Sequence, residues 1–359
     1  MKTGERVDSI RVLLVTGLTE VTLALPALRA LRVHFPAARL SIVTSPAGRE
    51  LLETLPWIDE AHGIGRFRKG EVFAMVTGYR TVRSISRLRQ MRREGLMPDL
   101  EVDLTGGLTG AVGAAVLSRL LGGGAAAGSW AGGGWLEKSE SILRQGAPLH
   151  RSHYYLQRLE PLGVRPVIAN PELVTSHEAD LRIEKLLHRL GVESGQLLIG
   201  LHPGRGFGAS EQGWPSARLV RLGERLIHQF DARLLILAGR GEEERSRRLA
   251  AALPARATKR IELLPLVDYL SLTARLSLLI ANAGAVPHLA AAVGTPVVSV
   301  SITPARARLN PYEISDERAI TISAPHYDQP DLHNEVAVFE AACRLLALNR
   351  TRLLRDRQR

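Results

Sequence analysis

The chain has 359 residues, 45% of them hydrophobic, which is enough for two ordinary domains with a sizeable core in each. One cysteine, Cys343, excludes a disulfide framework or a zinc-cysteine cluster, and 4% aromatics argue against a stacking platform for single-stranded nucleic acid. Lys plus Arg is 47 against 36 for Asp plus Glu, a net charge of +11 that favours acidic partners.

The chain opens on "IRVLLVT", a strand from Ile10, then a turn "GLTEVTLA", a helix "LPALRALRVHF" and a strand "ARLSIVT". Arg11, Glu20, Pro26 and Arg29 interrupt its apolar run, so it reads as strand, turn and helix rather than as a membrane span or signal peptide, which points to the cytoplasm. Glu20 sits in the turn among apolar neighbours. It is a helix-start residue or a general base, and burial would suit it to the second role.

Between Arg66 and Arg93 nine residues are basic, including Arg66, Arg68, Lys69 and Arg87, and one, Glu71, is acidic. This is an anion-facing surface or a solvated helix face. "DLEVDLTGG" is a further strand, "LTGAVGAAVLSRLL" a small-residue helix and "GGGAAAGSWAGGG" a loop. Residues 150–164 have helical spacing at Tyr154, Leu156, Leu159 and Leu162, and "RPVIANPELVTS" reads as a linker.

A second unit with the same plan follows: "LLIGLH" (strand), "PGRGFGASEQG" (turn), "WPSARLVRLGERLIHQF" (helix), "ARLLILAG" (strand). In both units a proline stands near the expected helix start, and the strands are near-continuous apolar runs of the kind found in parallel sheets. The fold class is α/β, with two Rossmann-like domains: 1–172, 173–328, and a closing helix in 329–359.

In the turn after "LLIGLH", Gly204, Gly206 and Gly208 permit close backbone approach to an anion, and Arg205 adds a charge. An ordinary flexible loop is the alternative. After "ARLLILAG", the run Glu242-Glu243-Glu244 compensates a helix dipole. One of these carboxylates, at the end of a strand, suits ribose hydroxyls, and Glu243 with Gly239 is the choice. The stretch "NAGAVPHLAAAVGTP" (282–296) reads as strand end, tight turn and helix start, with Asn282 and His288 its only polar side chains before Thr295. His150 and His153 lack further ligands in sequence, so no metal site is expected.

In their order and spacing, "RVLLVTGLTEVTLALPALRAL", "PDLEVDLTGGLTGAV", "IGLHPGRGFGASEQGWPSARLVRLGERL", "LAGRGEEE" and "NAGAVPHLAAAVGTPVVSVS" resemble glycosyltransferase family 9, the ADP-heptose:lipopolysaccharide heptosyltransferases. The resemblance implies a GT-B architecture, with an acceptor domain first and a nucleotide-sugar donor domain second. It also implies metal-independent, inverting sugar transfer, with no cofactor beyond a donor that would be ADP-linked. Glu20 would be the catalytic base. His202, Gly204, Arg205, Gly206, Gly208, Gln212, Trp214, Gly239, Glu243, Asn282, Gly284 and His288 would surround the donor. Arg66, Arg68, Lys69 and Arg87 would face an anionic glycolipid acceptor. Such a protein would sit in the cytoplasm, in peripheral contact with the inner membrane, and would bind no nucleic acid.

The chain departs from the family pattern in three places. Thr19-Glu20-Val21 replaces Gly-Asp-Val. Gln212 stands where a lysine is common, and Ala283 where an aspartate follows the asparagine. Loss of both the lysine and the aspartate leaves a second reading open: a GT-B paralogue without transfer activity that binds a glycan or nucleotide. A nucleotide-sugar epimerase is a third.

Overall fold

The computed structural model describes residues 7–64, 98–105, 150–165, 171–193, 195–204, 216–239, 241–301, 318–323 and 335–356. The chain divides into two units, Met1–Ala169 and Asn170–Arg359. The small-residue helix and the glycine-rich loop expected between residues 108 and 134 lie outside the described residues.

In the first unit, strands β1 (Ser9–Leu14), β2 (Arg39–Thr44), β3 (Glu60–Gly63) and β4 (Leu100–Asp103) form a parallel sheet in the order β3-β2-β1-β4. Helix α1 (Leu18–His34) links β1 to β2, and α2 (Pro46–Leu52) links β2 to β3. Ser45 caps α2, its hydroxyl accepting from the Gly48 N–H. Across β1 and β4, Arg11 lies in register with Glu101 and pairs with it at 3.3 Å, both side chains buried. The charge that interrupts the first apolar run is therefore neutralised inside the sheet.

Helix α1 starts earlier than the sequence suggests. Gly17 is its extended N-cap, so the segment expected as a turn is already helical and Glu20 stands in the first turn. Pro26 consequently falls inside the helix, not near its start. A proline there removes one backbone hydrogen bond and costs about 3 kcal/mol. Leu23, Leu25, Leu28 and Leu31 are buried on the same helix. At about 1.5–3 kcal/mol for each buried side chain they outweigh that cost, and the helix runs on. Helix α3 (Arg151–Gln157) packs against α1, and a turn of 3-10 helix (Glu160–Leu162) follows it.

In the second unit, α4 (His177–Arg189) is capped by the Ser176 hydroxyl. The strands are β5 (Leu198–His202), β6 (Arg233–Ile236), β7 (Thr258–Arg260), β8 (Leu278–Asn282), β9 (Val297–Ser301) and β10 (Ala319–Ser323). They form a parallel sheet in the order β10-β9-β8-β5-β6-β7. Helices α5 (Ser216–Phe230), α6 (Glu243–Ala251), α7 (Leu266–Ala274) and α8 (Ala285–Ala292) alternate with the strands. The closing helix α9 (Glu335–Asp356) contributes Val338, Phe339, Ala342 and Leu345 to the same core as Leu219, Leu222 and Leu226 of α5 and the sheet residues Ile199, Ile280 and Val298. A second core holds Ile183 of α4, Leu272 of α7 and Ala290 of α8 against Leu235 and Leu279.

Both sheets are doubly wound. Chain progression reverses between β1 and β4 in the first unit and between β5 and β8 in the second. In such sheets ligands bind beyond the carboxyl ends of the strands that flank the reversal.

Candidate functional site

At the reversal in the first unit, α1 leaves β1 through Gly17 and brings Glu20 to the mouth of the crevice. Its side chain is 26% exposed. Helix α3 supplies its partners. Arg151 Nε donates to Glu20 Oε2 at 2.8 Å, and the Tyr155 hydroxyl donates to the same oxygen at 2.5 Å. Among the described residues Oε1 accepts no hydrogen bond.

The donors are themselves held. The Arg151 guanidinium lies over the rings of Tyr154 and Tyr155, 4.3 and 5.1 Å from their centres. Arg158 Nη1 donates to the Tyr154 hydroxyl at 2.8 Å, and its Nε donates to the Asp103 carbonyl at 3.0 Å, at the end of β4. Burial pushes the Asp103 carboxyl above its ordinary range, against the opposing charge of Arg158 and the bond from the Thr105 N–H. Burial, reinforced by the charge of Glu20, pushes the Tyr155 hydroxyl well above its ordinary value, so it stays a donor.

At the reversal in the second unit, the chain leaves β5 through His202, Pro203 and Gly204. Gly204 has φ +59, in the left-handed region. Two side chains hold this exit. Asn282, at the end of β8, donates through Nδ2 to the Pro203 carbonyl at 2.5 Å. Arg245 of α6 donates to the Gly204 carbonyl at 3.1 Å. Asn282 thus anchors the loop after β5 through its amide. Ala283 donates its N–H to the Val300 carbonyl at 2.8 Å, and Gly284 is the extended N-cap of α8, with no side chain bonded to the helix end. His288 is 4% exposed within α8.

After β6, Glu242 takes the place at the strand end that the sequence suggested for Glu243. Glu242 Oε2 accepts from the Gly239 N–H at 2.7 Å, whereas Glu243 Oε1 accepts from the Gly241 N–H at 3.0 Å. The Glu242 carboxylate also stands 3.1 Å from His202 Nε2, without hydrogen-bond geometry. His202 is 5% exposed, and among the described residues both its ring nitrogens are buried and unbonded. Tyr269 of α7 is close enough for the Glu242 charge to add to the effect of burial, which holds its hydroxyl far above the ordinary value.

Of the residues singled out in the sequence, Glu20, His202, Gly204, Gly239, Asn282 and Gly284 lie at the two reversals, Glu243 turns back on its own loop, and His288 is buried in a helix. Arg205, Gly206, Gly208, Gln212, Trp214, Arg66, Arg68, Lys69 and Arg87 lie outside the described residues. The sequence reading missed Arg151, Tyr155, Arg158, Glu242 and Arg245. Among the described residues no group of three or more His, Cys, Asp or Glu side chains is placed to hold a metal ion, and no helix is long and apolar enough to cross a membrane.

The sequence profile described as glycosyltransferase family 9 (heptosyltransferase) matches residues 103–338, more than half of the chain. The chain belongs to glycosyltransferase family 9. Compared by sequence with curated proteins, it matches none. Among solved structures, a glycosyltransferase family 9 protein from Veillonella parvula superposes with a TM-score of 0.74 at 18% identity, covering 96% of this chain and 99% of that one. The E. coli ADP-heptose LPS heptosyltransferase II superposes at 0.68 and 17% identity, covering 94% and 98%. E. coli heptosyltransferase WaaC, solved with ADP, superposes at 0.66 and 15% identity, covering 92% and 98%. At these identities the likeness shows the fold, the GT-B fold of two Rossmann-like units. Family membership makes the chain a glycosyltransferase homologue.

Proposed function

We propose that this member of family 9 is an inverting, metal-independent glycosyltransferase. It moves heptose or a related sugar from a nucleotide sugar to an anionic glycolipid of the lipopolysaccharide type, at the cytoplasmic face of the inner membrane. The observation that carries the reading is Glu20: a carboxylate at the reversal of the first sheet, with one oxygen held by two donors and the other uncommitted. In the reaction Glu20 Oε1 takes the proton of the acceptor hydroxyl. The hydroxyl oxygen forms a bond to the anomeric carbon, and the bond from that carbon to the diphosphate oxygen breaks on the opposite face. The nucleoside diphosphate leaves with the electron pair. The uncapped N-terminus of α8 and the backbone at Gly204 supply N–H groups of the kind that stabilise a departing diphosphate. Glu242 at the end of β6 suits the ribose hydroxyls. The donor is taken as ADP-linked because the E. coli relatives are described with ADP-heptose and ADP. The basic residues between Arg66 and Arg93 match an anionic acceptor in charge.

A second reading has one observation in its favour: the turn after β8 carries Ala283 and no carboxylate, and the neighbouring Asn282 amide is engaged with Pro203. A protein of this kind would bind a nucleotide or glycan without transferring it. The deciding experiment measures nucleoside diphosphate release from a panel of ADP-, UDP-, GDP- and dTDP-sugars, with truncated lipopolysaccharide as acceptor. Transfer by the unaltered chain that disappears in Glu20→Gln, with donor-induced thermal stabilisation retained, supports the enzyme reading. Stabilisation by a nucleotide sugar without any transfer supports the second. Conversion of the donor with no acceptor present supports an epimerase.

A further inference from the structure

We infer that α3 is a positioning element for the base: Arg151 and Tyr155 pin Oε2 of Glu20, and this fixes Oε1 as the oxygen that takes the acceptor proton. The inference rests on the reading of Glu20 as that base.

The geometry favours positioning over simple docking of α3 onto α1. An ion pair that only joined two helices would gain by using both carboxylate oxygens and the two-pronged end of the guanidinium. Here Arg151 presents its Nε, and both donors converge on a single oxygen. Arg151 and Tyr155 are one helical turn apart, so one rigid face of α3 delivers both. That face is braced at three further points: the stacking of Arg151 on Tyr154 and Tyr155, the bond from Arg158 to Tyr154, and the bond from Arg158 to the end of β4. The chain reaches Glu20 from 131 and 135 residues away in sequence. β1 and β4 are the strands that flank the reversal, so the brace ties together both walls of the crevice in which Glu20 stands.

Tyr155 is fully buried and its hydroxyl is held above its ordinary value, by burial first and then by the Glu20 charge. It therefore keeps its proton across the working range and acts as a neutral donor, not as a second base. Its loss leaves the carboxylate held by Arg151 alone and less well oriented. A misplacement of about 1 Å at a reacting atom costs up to about 100-fold in rate.

The test compares Tyr155→Phe, Arg151→Gln and Arg151→Lys with Glu20→Gln and the unaltered chain, in the transfer assay with the best donor of the panel. For Tyr155→Phe the expected result is a fall of about 10- to 100-fold in kcat, with KM for donor and acceptor unchanged within about twofold. Arg151→Gln behaves likewise, and Arg151→Lys recovers part of the rate. If Glu20→Gln is inactive while Tyr155→Phe and Arg151→Gln keep the unaltered kcat, the positioning role is overturned and the function stands. If those variants lose only thermal stability, α3 is a docking element and the inference is likewise overturned. If Glu20→Gln retains transfer, or the unaltered chain releases no diphosphate from any donor, the function reading fails and this inference fails with it.

Discussion

Gly204→Ala is the sharpest test of how the loop after β5 is held. Gly204 has φ +59, and a Cβ placed there would meet Asn282 Cβ at 3.2 Å and Asn282 Nδ2 at 3.5 Å. The matched control is Gly294→Ala. Gly294, just beyond α8, has φ +90, but a Cβ there meets nothing within 4 Å. Forcing an L-residue into the left-handed region costs about 1–2 kcal/mol at either position. At Gly204 there is a second cost. The 3.2 Å contact requires Asn282 to give way, and its amide is bonded to the Pro203 carbonyl. Loss of that bond adds about 1 kcal/mol. Gly204→Ala should therefore melt about 2–4 °C below Gly294→Ala, given the usual sensitivity of a domain of this size. Ligand binding separates the two variants further. If the loop between β5 and α5 contributes to donor binding, the melting shift caused by saturating ADP should shrink in Gly204→Ala and be retained in Gly294→Ala. Differential scanning of both variants, with and without ADP, reads both quantities. Equal melting points together with equal ADP shifts would refute the argument that Asn282 and Gly204 jointly hold the loop after β5.

Further expectations follow from the packing of the second unit. Asp180 joins α4 to α7, accepting from the Ser271 hydroxyl and from Arg275 Nη1 at 2.9 Å. The Ser271 hydrogen bond, with Arg275 behind it and desolvation opposing, holds its carboxyl below the ordinary range. The folded state thus binds that proton less tightly than the unfolded chain does. The stabilisation is complete above the unfolded value and is lost as pH falls through the folded one. Asp180→Ala should cost about 1–2 kcal/mol at pH 7, and the difference from the unaltered chain should narrow once the pH drops below about 4; urea unfolding at the two pH values checks it. Gly200→Ala should destabilise by about 1–3 kcal/mol through overpacking, since its Cβ would lie 2.6 Å from Leu276 Cδ1 and 3.0 Å from Leu279 Cδ1 in the centre of the sheet. Urea unfolding reads this too, and Leu276→Ala in the same chain should recover part of the loss.

The βαβ plan was legible because buried parallel strands leave continuous apolar runs, and both sheets open where those runs begin. Glu20 was legible for the same reason: a carboxylate at the first strand-to-helix turn stands out among Leu and Val. Its partners were not. Residues 150–164 gave an apolar spacing in which Tyr154 counted as core, and no local pattern says that Arg151 and Tyr155 meet a residue more than a hundred positions earlier. Arg11 looked only like an interruption of an apolar run because its partner, Glu101, becomes its neighbour only when β4 pairs with β1. Glu242 and Glu243 are equivalent in composition and differ only in helix phase. The N-cap position turns Glu242 back to Gly239, while the next residue faces Gly241. The early start of α1 was hidden by Pro26, which marks a helix start in most sequences but is carried here by the buried leucines around it.

The turn after β8 does not depend on the side chain of residue 283 for its shape. Its geometry is secured from two sides. The Asn282 amide bonds to the loop after β5, and the Ala283 N–H bonds to β9 through the Val300 carbonyl. Neither bond uses the side chain of residue 283, and Gly284 is extended, with nearly open space where a Cβ would stand. A carboxylate at 283 is therefore not needed to shape the turn or to begin α8. On the resemblance drawn from the sequence, Ala283 stands where an aspartate is expected, and a difference of that kind alters a charge without altering the backbone of the turn. Loss of one charge-assisted contact is worth about 1.5–3 kcal/mol, or roughly 10- to 150-fold in affinity for a ligand that used it. The same substitution costs nothing to a ligand that did not. An Ala283→Asp chain should fold as the unaltered one does, and any change it makes in the order of preference among nucleotide sugars would be a direct reading of what that position contacts.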